Sequence, residues 1–494
     1  VSRFIEFDLK NEIYKHYQKL DTGFYKKHST GDLMNRISED VSKVRMYLGP
    51  GIMYSVNLVV LSSMVIFQMI QINSLLTLYV LLPLPIMSFL IYKVSSTMNR
   101  LSTEVQKEQS MLSTIAQESF SGIRVLKAYN REQETNKKFN TSTDAYKDKS
   151  MKLVLVNALF MPTILFLIGL STIISIYVGG AMSFNNEISL GGIVAFIFYV
   201  NNLTWPFASI GWVTSIVQRA SASQRRINEF LETKPKISNQ NFDEFVFNGE
   251  IEFKKVHFTY PDTNINAVNN LSFKINKGDV LGVIGKTGSG KSTILELLLN
   301  KYKIDKGEIL LDKKSIKKIN TIKFFDQCGV VPQEVFLFSD TINNNLLFSS
   351  NKNIPGEKII SACKEAKIYD NIMNFPDKME TLLGERGVNL SGGQKQRLSI
   401  ARALIRDPKL LLFDDCLSAV DTETEEAILD NINQKSKERT SIIVSHRISS
   451  IRNANHILVI DNGNVIEEGS HQELLSLKGF YSKMYQQQLI EDNR

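Results

Sequence analysis

From Met46 to Tyr92 the chain carries no charged side chain, and two more uncharged runs follow, between Lys152 and Glu187 and between Glu187 and Arg219. A helix needs about 20 apolar residues to cross the hydrocarbon core of a bilayer. The first run has room for two such helices and each later run for one. Four spans are therefore expected, near residues 52–70, 75–93, 153–178 and 188–217.

The spans decide how the charge is to be read. A net charge of +7 over 494 residues could suggest a nucleic-acid partner. Here, however, Lys and Arg crowd into Val1–Arg45 and Lys93–Lys152 and resume at Arg219, Arg225 and Arg226, while the connections Gln71–Ser74 and Gly179–Leu190 contain none. Basic residues collect on the cytoplasmic side of membrane spans. The crowded segments and both chain ends are thus expected in the cytoplasm, in a multi-pass protein of the cytoplasmic membrane, with no nucleic acid as partner. Apart from Lys93 at the end of the second, the spans hold no carboxylate or lysine, which argues against a proton- or ion-driven carrier. Pro83, Pro85, Pro162 and Pro206 predict kinks, and Asn57, Gln68, Asn157, Asn201 and Asn202 predict hydrogen bonds between helices.

A chain of this length exceeds one ordinary core. Residues 1–231 read as the membrane domain, with cytoplasmic loops at 1–50 and 94–152. In the first loop a helical hairpin is expected to turn near Gly31, with Asp32 as an N-cap. The second is expected to form two helical legs of roughly 40 Å each, turning at Gly122 with Ile123, Val125 and Leu126 available to dock. Residues 232–248 read as a polar linker and 249–494 as a soluble α/β domain, with strands at Ile251–Phe258, Val280–Ile284, Leu410–Phe413, Ser441–Val444 and Ile457–Ile460 and a tight turn at Asn462-Gly463. Cys328, Cys363 and Cys416 show no metal-ligand spacing and suit a reducing cytosol as small buried hydrophobes.

The chemistry concentrates at Gly285-Lys286-Thr287-Gly288-Ser289-Gly290-Lys291-Ser292-Thr293, between an apolar strand and an apolar helix. Glycines let successive backbone N–H groups turn inward on phosphate oxygens, and the helix start adds its positive dipole end. Lys291 would neutralise the outer phosphates, and Ser292 would offer an oxygen to Mg²⁺. The strand Leu410–Phe413 ends in Asp414-Asp415. In phosphate-loop ATPases the first acid of such a pair holds the ion through water, and the second position can orient the attacking water. Ser391 and two glycines, in Leu390-Ser391-Gly392-Gly393-Gln394 before a helix, make a second anion clamp. Two clamps suggest a nucleotide sandwiched between two such domains.

These segments, in this order, resemble the ATP-binding cassette (ABC) transporters. Tyr260 in Phe258-Thr259-Tyr260-Pro261, Gln333 in Val331-Pro332-Gln333-Glu334, Gly384-Glu385-Arg386-Gly387, Ser418-Ala419-Val420-Asp421 and Ser445-His446-Arg447 complete the set. Thr30-Gly31-Asp32-Leu33-Met34 and Ser121-Gly122-Ile123-Arg124-Val125 resemble the intracellular loops of the exporter branch. The resemblance implies an α-helical transmembrane bundle of the ABC exporter type fused to an α/β P-loop ATPase domain with an antiparallel β subdomain. It also implies that the first span and most of the second precede Val1. Residue by residue it implies Tyr260 on adenine, Lys291 and the loop amides on phosphate, Ser292 and Gln333 on Mg²⁺, Asp414 on the ion's water shell, and His446 sensing the terminal phosphate. Leu390–Gln394 and Asp421 would act on the partner's nucleotide.

The family usually has Glu where this chain has Asp415. The side chain is one methylene shorter, and a misplacement of about 1 Å can cost roughly 10²-fold in rate. ATP and Mg²⁺ are expected to bind and hydrolysis here to be slow, as in one half of the heterodimeric bacterial multidrug exporters. Gln333, Asp415 and His446 form the expected catalytic set, and a hydrophobic or amphiphilic molecule the expected cargo. The alternatives are a homodimeric lipid or peptide exporter and a soluble cassette ATPase of DNA repair or chromosome organisation.

Overall fold

The computed structural model describes residues 1–235, 245–350, 354–384, 387–434 and 439–492. They fall into two compact units, one made of Val1–Lys19 and Ser29–Lys234, the other of Leu20–His28 and Pro235–Arg494. Most of the polar segment 232–248 expected as a linker lies outside the described residues.

In the first unit four long helical stretches, Thr30–Ile72, Ser74–Ser121, Glu132–Phe184 and Leu190–Leu231, are long and apolar enough to cross a membrane; the first three contain the expected spans 52–70, 75–93 and 153–178, and the fourth begins two residues inside the expected 188–217. Met69, Leu76, Leu84, Met87, Phe196, Val200 and Leu203 form their shared buried core. Large apolar side chains such as Phe166 and Phe198 point outward, the arrangement expected when lipid replaces water as solvent. Pro83 breaks the second stretch, one helix ending at Leu81 and the next beginning at Pro83. Pro162 and Pro206 lie inside continuous helices. The two expected legs are present: the helix Pro83–Ser121 ends at Gly122, Ile123–Ala128 forms a short helix at the tip, and Glu132–Phe184 returns.

Two expectations change. The break near Gly31 comes earlier, because Asp21 accepts the Phe24 N–H and opens a separate helix over Thr22–Lys27. The next N-cap is Ser29, whose hydroxyl accepts the Asp32 N–H at 3.2 Å. Asp32 sits in the first turn and pairs with Arg36 at 2.8 Å. Among the span amides, Asn201 bonds the Ile197 carbonyl of its own helix at 2.9 Å, not a neighbouring helix. A buried ionic cluster joins distant parts of the unit: Asp40, 4% exposed, takes two hydrogen bonds from Arg226 and one from Ser223.

The second unit holds two sheets. One is antiparallel, with β1 (Ile251–Thr259), β2 (Asn266–Ile275), β4 (Lys306–Leu311) and β5 (Lys314–Ser315) in the order β2-β1-β4-β5. The other contains β3 (Val280–Gly285), β6 (Cys328–Val331), β7 (Leu410–Asp414), β8 (Thr440–Val444), β9 (His456–Asp461) and β10 (Asn464–Gly469), in the order β10-β9-β3-β8-β7-β6. All its pairings are parallel except the β9–β10 hairpin. That hairpin turns through Asn462 and Gly463, both at positive φ. β3 is buried along its whole length, as parallel strands covered on both faces must be.

Parallel pairing delivers the ends of β3, β6, β7 and β8 to one edge of the sheet. Val331 pairs with Phe413 and Asp414 with Val444, so Gln333, Asp415 and His446 leave adjacent strands at similar heights. Ligands of open α/β sheets bind at this carboxyl edge. The three cysteines are buried, and burial pushes the Cys363 thiol up to about 12, so they serve packing.

Candidate functional site

β3 runs directly into the glycine loop, and the helix Lys291–Leu298 begins after Gly290, whose φ is +99°. Packing demands glycine here as much as conformation does. A Cβ on Gly285 would stand 2.1 Å from the Ile460 carbonyl oxygen, and one on Gly290 2.1 Å from that of Ala267. The Lys291 ammonium arches back to donate to the Gly285 and Lys286 carbonyls, each at 2.8 Å. Burial pulls its pKa down, against the attraction of Asp415 and Asp414. Ser289 is 4% exposed and its hydroxyl has no partner among the described residues. A buried hydroxyl left unpaired is costly, and a phosphate oxygen would satisfy it. These residues therefore fit a polyphosphate.

The hard oxygen donors expected of a Mg²⁺ site come together as well. Ser292 Oγ donates to Asp414 Oδ1 at 2.7 Å. Burial raises the Asp414 pKa, and Asp415 and Glu296 add to the rise, with the Ser292 hydrogen bond opposing it. A cation beside this carboxylate would favour its charged form. Gln333 reaches the same acid pair, with its Nε2 3.5 Å from Asp415 Oδ2.

Asp415 lies between two other groups of the site. Its Oδ1 is 2.7 Å from His446 Nδ1 while Oδ2 faces Gln333. Its backbone is left-handed, φ +47°, a conformation that short polar side chains tolerate. Ser418 Oγ donates to the Asp415 carbonyl at 3.1 Å, and Arg447 donates to that of Ser418 at 2.9 Å. Gln333, Asp414, Asp415 and His446, up to 113 residues apart in sequence, are thus one cluster.

Tyr260 is held by its hydroxyl, which meets Thr293 Oγ1 at 3.0 Å and donates to Glu296 at 2.8 Å. Its ring packs edge-on against Phe258 and Tyr302. The Lys26 ammonium lies 5.1 Å from the centroids of both Tyr260 and Tyr302. Sequence reasoning missed Glu296 and Lys26. Glu296 lies one helical turn past Ser292, a spacing that could have pointed to it.

The segment Leu390–Gln394 forms a second assembly. Ser391 caps the helix Gly392–Leu404 in a capping box with Gln394. A Cβ on Gly393 would lie 2.8 Å from the Ala419 carbonyl oxygen. Gln396 accepts the Ala419 N–H at 3.0 Å, so the segment packs on Ser418–Asp421. Asp421 accepts the Thr424 N–H at 2.9 Å, which holds its pKa low. Among the described residues no hydrogen bond joins Leu390–Gln394 to Gly285–Thr293. In Gly384–Gly387, residues 385 and 386 lie outside the described residues.

Comparison with known proteins matches residues 1–207 to the ABC transporter transmembrane region and 268–418 to the ABC transporter family. The chain is 36% identical over 491 residues to the probable multidrug resistance ABC transporter ATP-binding/permease protein YheI of Bacillus subtilis, covering 99% of this chain and 84% of that protein. This chain belongs to the ABC transporter family. It is similar also to the multidrug resistance-like ATP-binding protein MdlA of Escherichia coli, 35% identical with 98% and 82% covered. The ATP-dependent lipid A-core flippase of Photobacterium profundum is 31% identical, with 98% and 83% covered. The solved structure of a bacterial Atm1-family ABC exporter with ATP bound superposes with a TM-score of 0.84 at 26% identity, covering 99% of this chain and 86% of that one. The protein is an ABC exporter half-transporter. A helical transmembrane domain is fused to a cytoplasmic ATPase domain, ATP hydrolysis is coupled to transport, and the working form is a dimer.

Proposed function

We propose that this ABC exporter is the slow-site half of a heterodimer that moves a hydrophobic or amphiphilic molecule outward across the cytoplasmic membrane. The observation that carries this reading is the Asp415 carboxylate, with one oxygen on His446 and the other facing Gln333. A glutamate would extend one methylene further from the strand end. Asp415 instead stays near its own neighbours, where it is a poor base for a water on the terminal phosphate.

In this reading the loop amides, Lys291 and the Ser289 hydroxyl hold the phosphates, and Tyr260 stacks on adenine. Ser292, Gln333 and Asp414 would hold Mg²⁺, which would neutralise charge on the outer phosphates. His446 meets the terminal phosphate and is oriented by Asp415. Leu390–Gln394 and Asp421 face the partner's nucleotide, consistent with the lack, among the described residues, of any hydrogen bond from that segment to the chain's own phosphate loop. The multidrug and lipid A flippase relatives favour a greasy or amphiphilic cargo, and the uncharged, proline-interrupted spans fit one.

Mild detergent extraction followed by affinity capture of a tagged copy tests the pairing. A second half-transporter whose corresponding strand ends in Asp-Glu is expected in about equal amount. Recovery of only this chain, as a dimer of itself, would contradict the heterodimer.

A further inference from the structure

The His446 ring is half exposed, and its one described hydrogen-bond partner is Asp415. The backbone beneath it is held from elsewhere. Gln488, near the end of the helix Phe480–Asp492, donates from Nε2 to the His446 carbonyl at 2.7 Å and accepts the Ile448 N–H on Oε1 at 2.8 Å. One amide thus staples both sides of the turn that presents the histidine, using both its donor and its acceptor.

The helix carrying Gln488 is itself fixed. Glu467 accepts the N–H groups of Phe480 and Tyr481 at its start, at 2.5 and 2.9 Å. Tyr481 is fully buried and its hydroxyl lies 2.7 Å from His471 Nδ1. Phe480 also lies under the ammonium of Lys286, 5.4 Å from the ring centroid, so the same helix touches the phosphate loop. On the other side of the turn, Arg447 reaches the Ser418 carbonyl, and its own N–H is held by Ser445 Oγ.

We propose that Gln488 is a positioning residue for His446, setting the height of the imidazole above the phosphate loop. The proposal rests on the reading of His446 as the group that meets the terminal phosphate. Without the staple the turn relaxes, and a shift well under about 1 Å is enough to lower the rate. The near-isosteric Gln488→Met removes both hydrogen bonds and keeps the bulk.

The test is a double-mutant cycle in this chain purified alone in lipid nanodiscs, where its own slow site carries the turnover, reading phosphate release against ATP concentration, with Gln488→Met, His446→Ala and both together. Gln488→Met is expected to lower kcat about tenfold with KM for ATP and the unfolding temperature unchanged, and to add nothing to the loss in His446→Ala. Unchanged kcat in Gln488→Met beside a loss in His446→Ala would overturn the proposal alone. So would losses that multiply in the double variant, or a fall in ATP affinity and unfolding temperature together. An active His446→Ala protein would remove the reading of the histidine and the proposal with it.

Discussion

Lys291→Ala is expected to weaken ATP binding by at least about 30-fold and to abolish ATP-dependent transport. The ammonium already bridges the Gly285 and Lys286 carbonyls, so it is held within the loop that would take the phosphates. Its desolvation makes the charge more effective, because Coulomb attraction strengthens away from bulk water. Truncating one member of a buried, hydrogen-bonded charge pair costs about 2–5 kcal/mol, which sets the expected loss. The fold should persist, since the loop is shaped by Gly285 and Gly290 against neighbouring backbone. Equilibrium binding of a fluorescent ATP analogue to the purified protein checks the result, and wild-type affinity would refute the assignment of the loop.

The unequal pair makes a second large prediction, a contrast between two substitutions in the assembled transporter. Gly392→Asp places a carboxylate in the segment that would face the partner's nucleotide. A Cβ at that position meets Ala419 Cβ at an ordinary 3.5 Å, so the helix start is not distorted. Turnover of the pair is expected to fall by about 10²-fold, the effect of spoiling one arm of a preorganised anion site. Asp415→Asn should leave turnover within about twofold, because the site it belongs to contributes little. Phosphate release from the pair captured with this chain measures both. Equal losses from the two substitutions would mean that both sites work alike.

Much of this site is legible in the sequence because its chemistry is carried by local spacing. The glycine loop follows an apolar run, the acid pair ends one, and Asn462-Gly463 announces its hairpin. Spacing in sequence could not show that Asp415 would sit between His446 and Gln333, since that follows from parallel pairing of β6, β7 and β8. β2 escaped notice because its middle reads Asn269-Asn270, a half-buried and an exposed polar residue that interrupt its apolar positions, with Asn270 at positive φ. β6 is only four residues long. The capping role expected of Asp32 belongs to Ser29, whose hydroxyl, three residues ahead, accepts the Asp32 N–H. Gln488 carries no local signal, as its partners lie about 40 residues upstream and meet it only in the folded domain.

The central claim is that a strand-end aspartate makes this polypeptide one member of an unequal pair. The direct test is the ATP turnover of this chain purified alone in nanodiscs, set against the same amount of chain captured with its partner. Slow hydrolysis alone and an increase of about 10²-fold in the pair is the predicted result. Turnover by the solitary chain that equals that of the pair would contradict it.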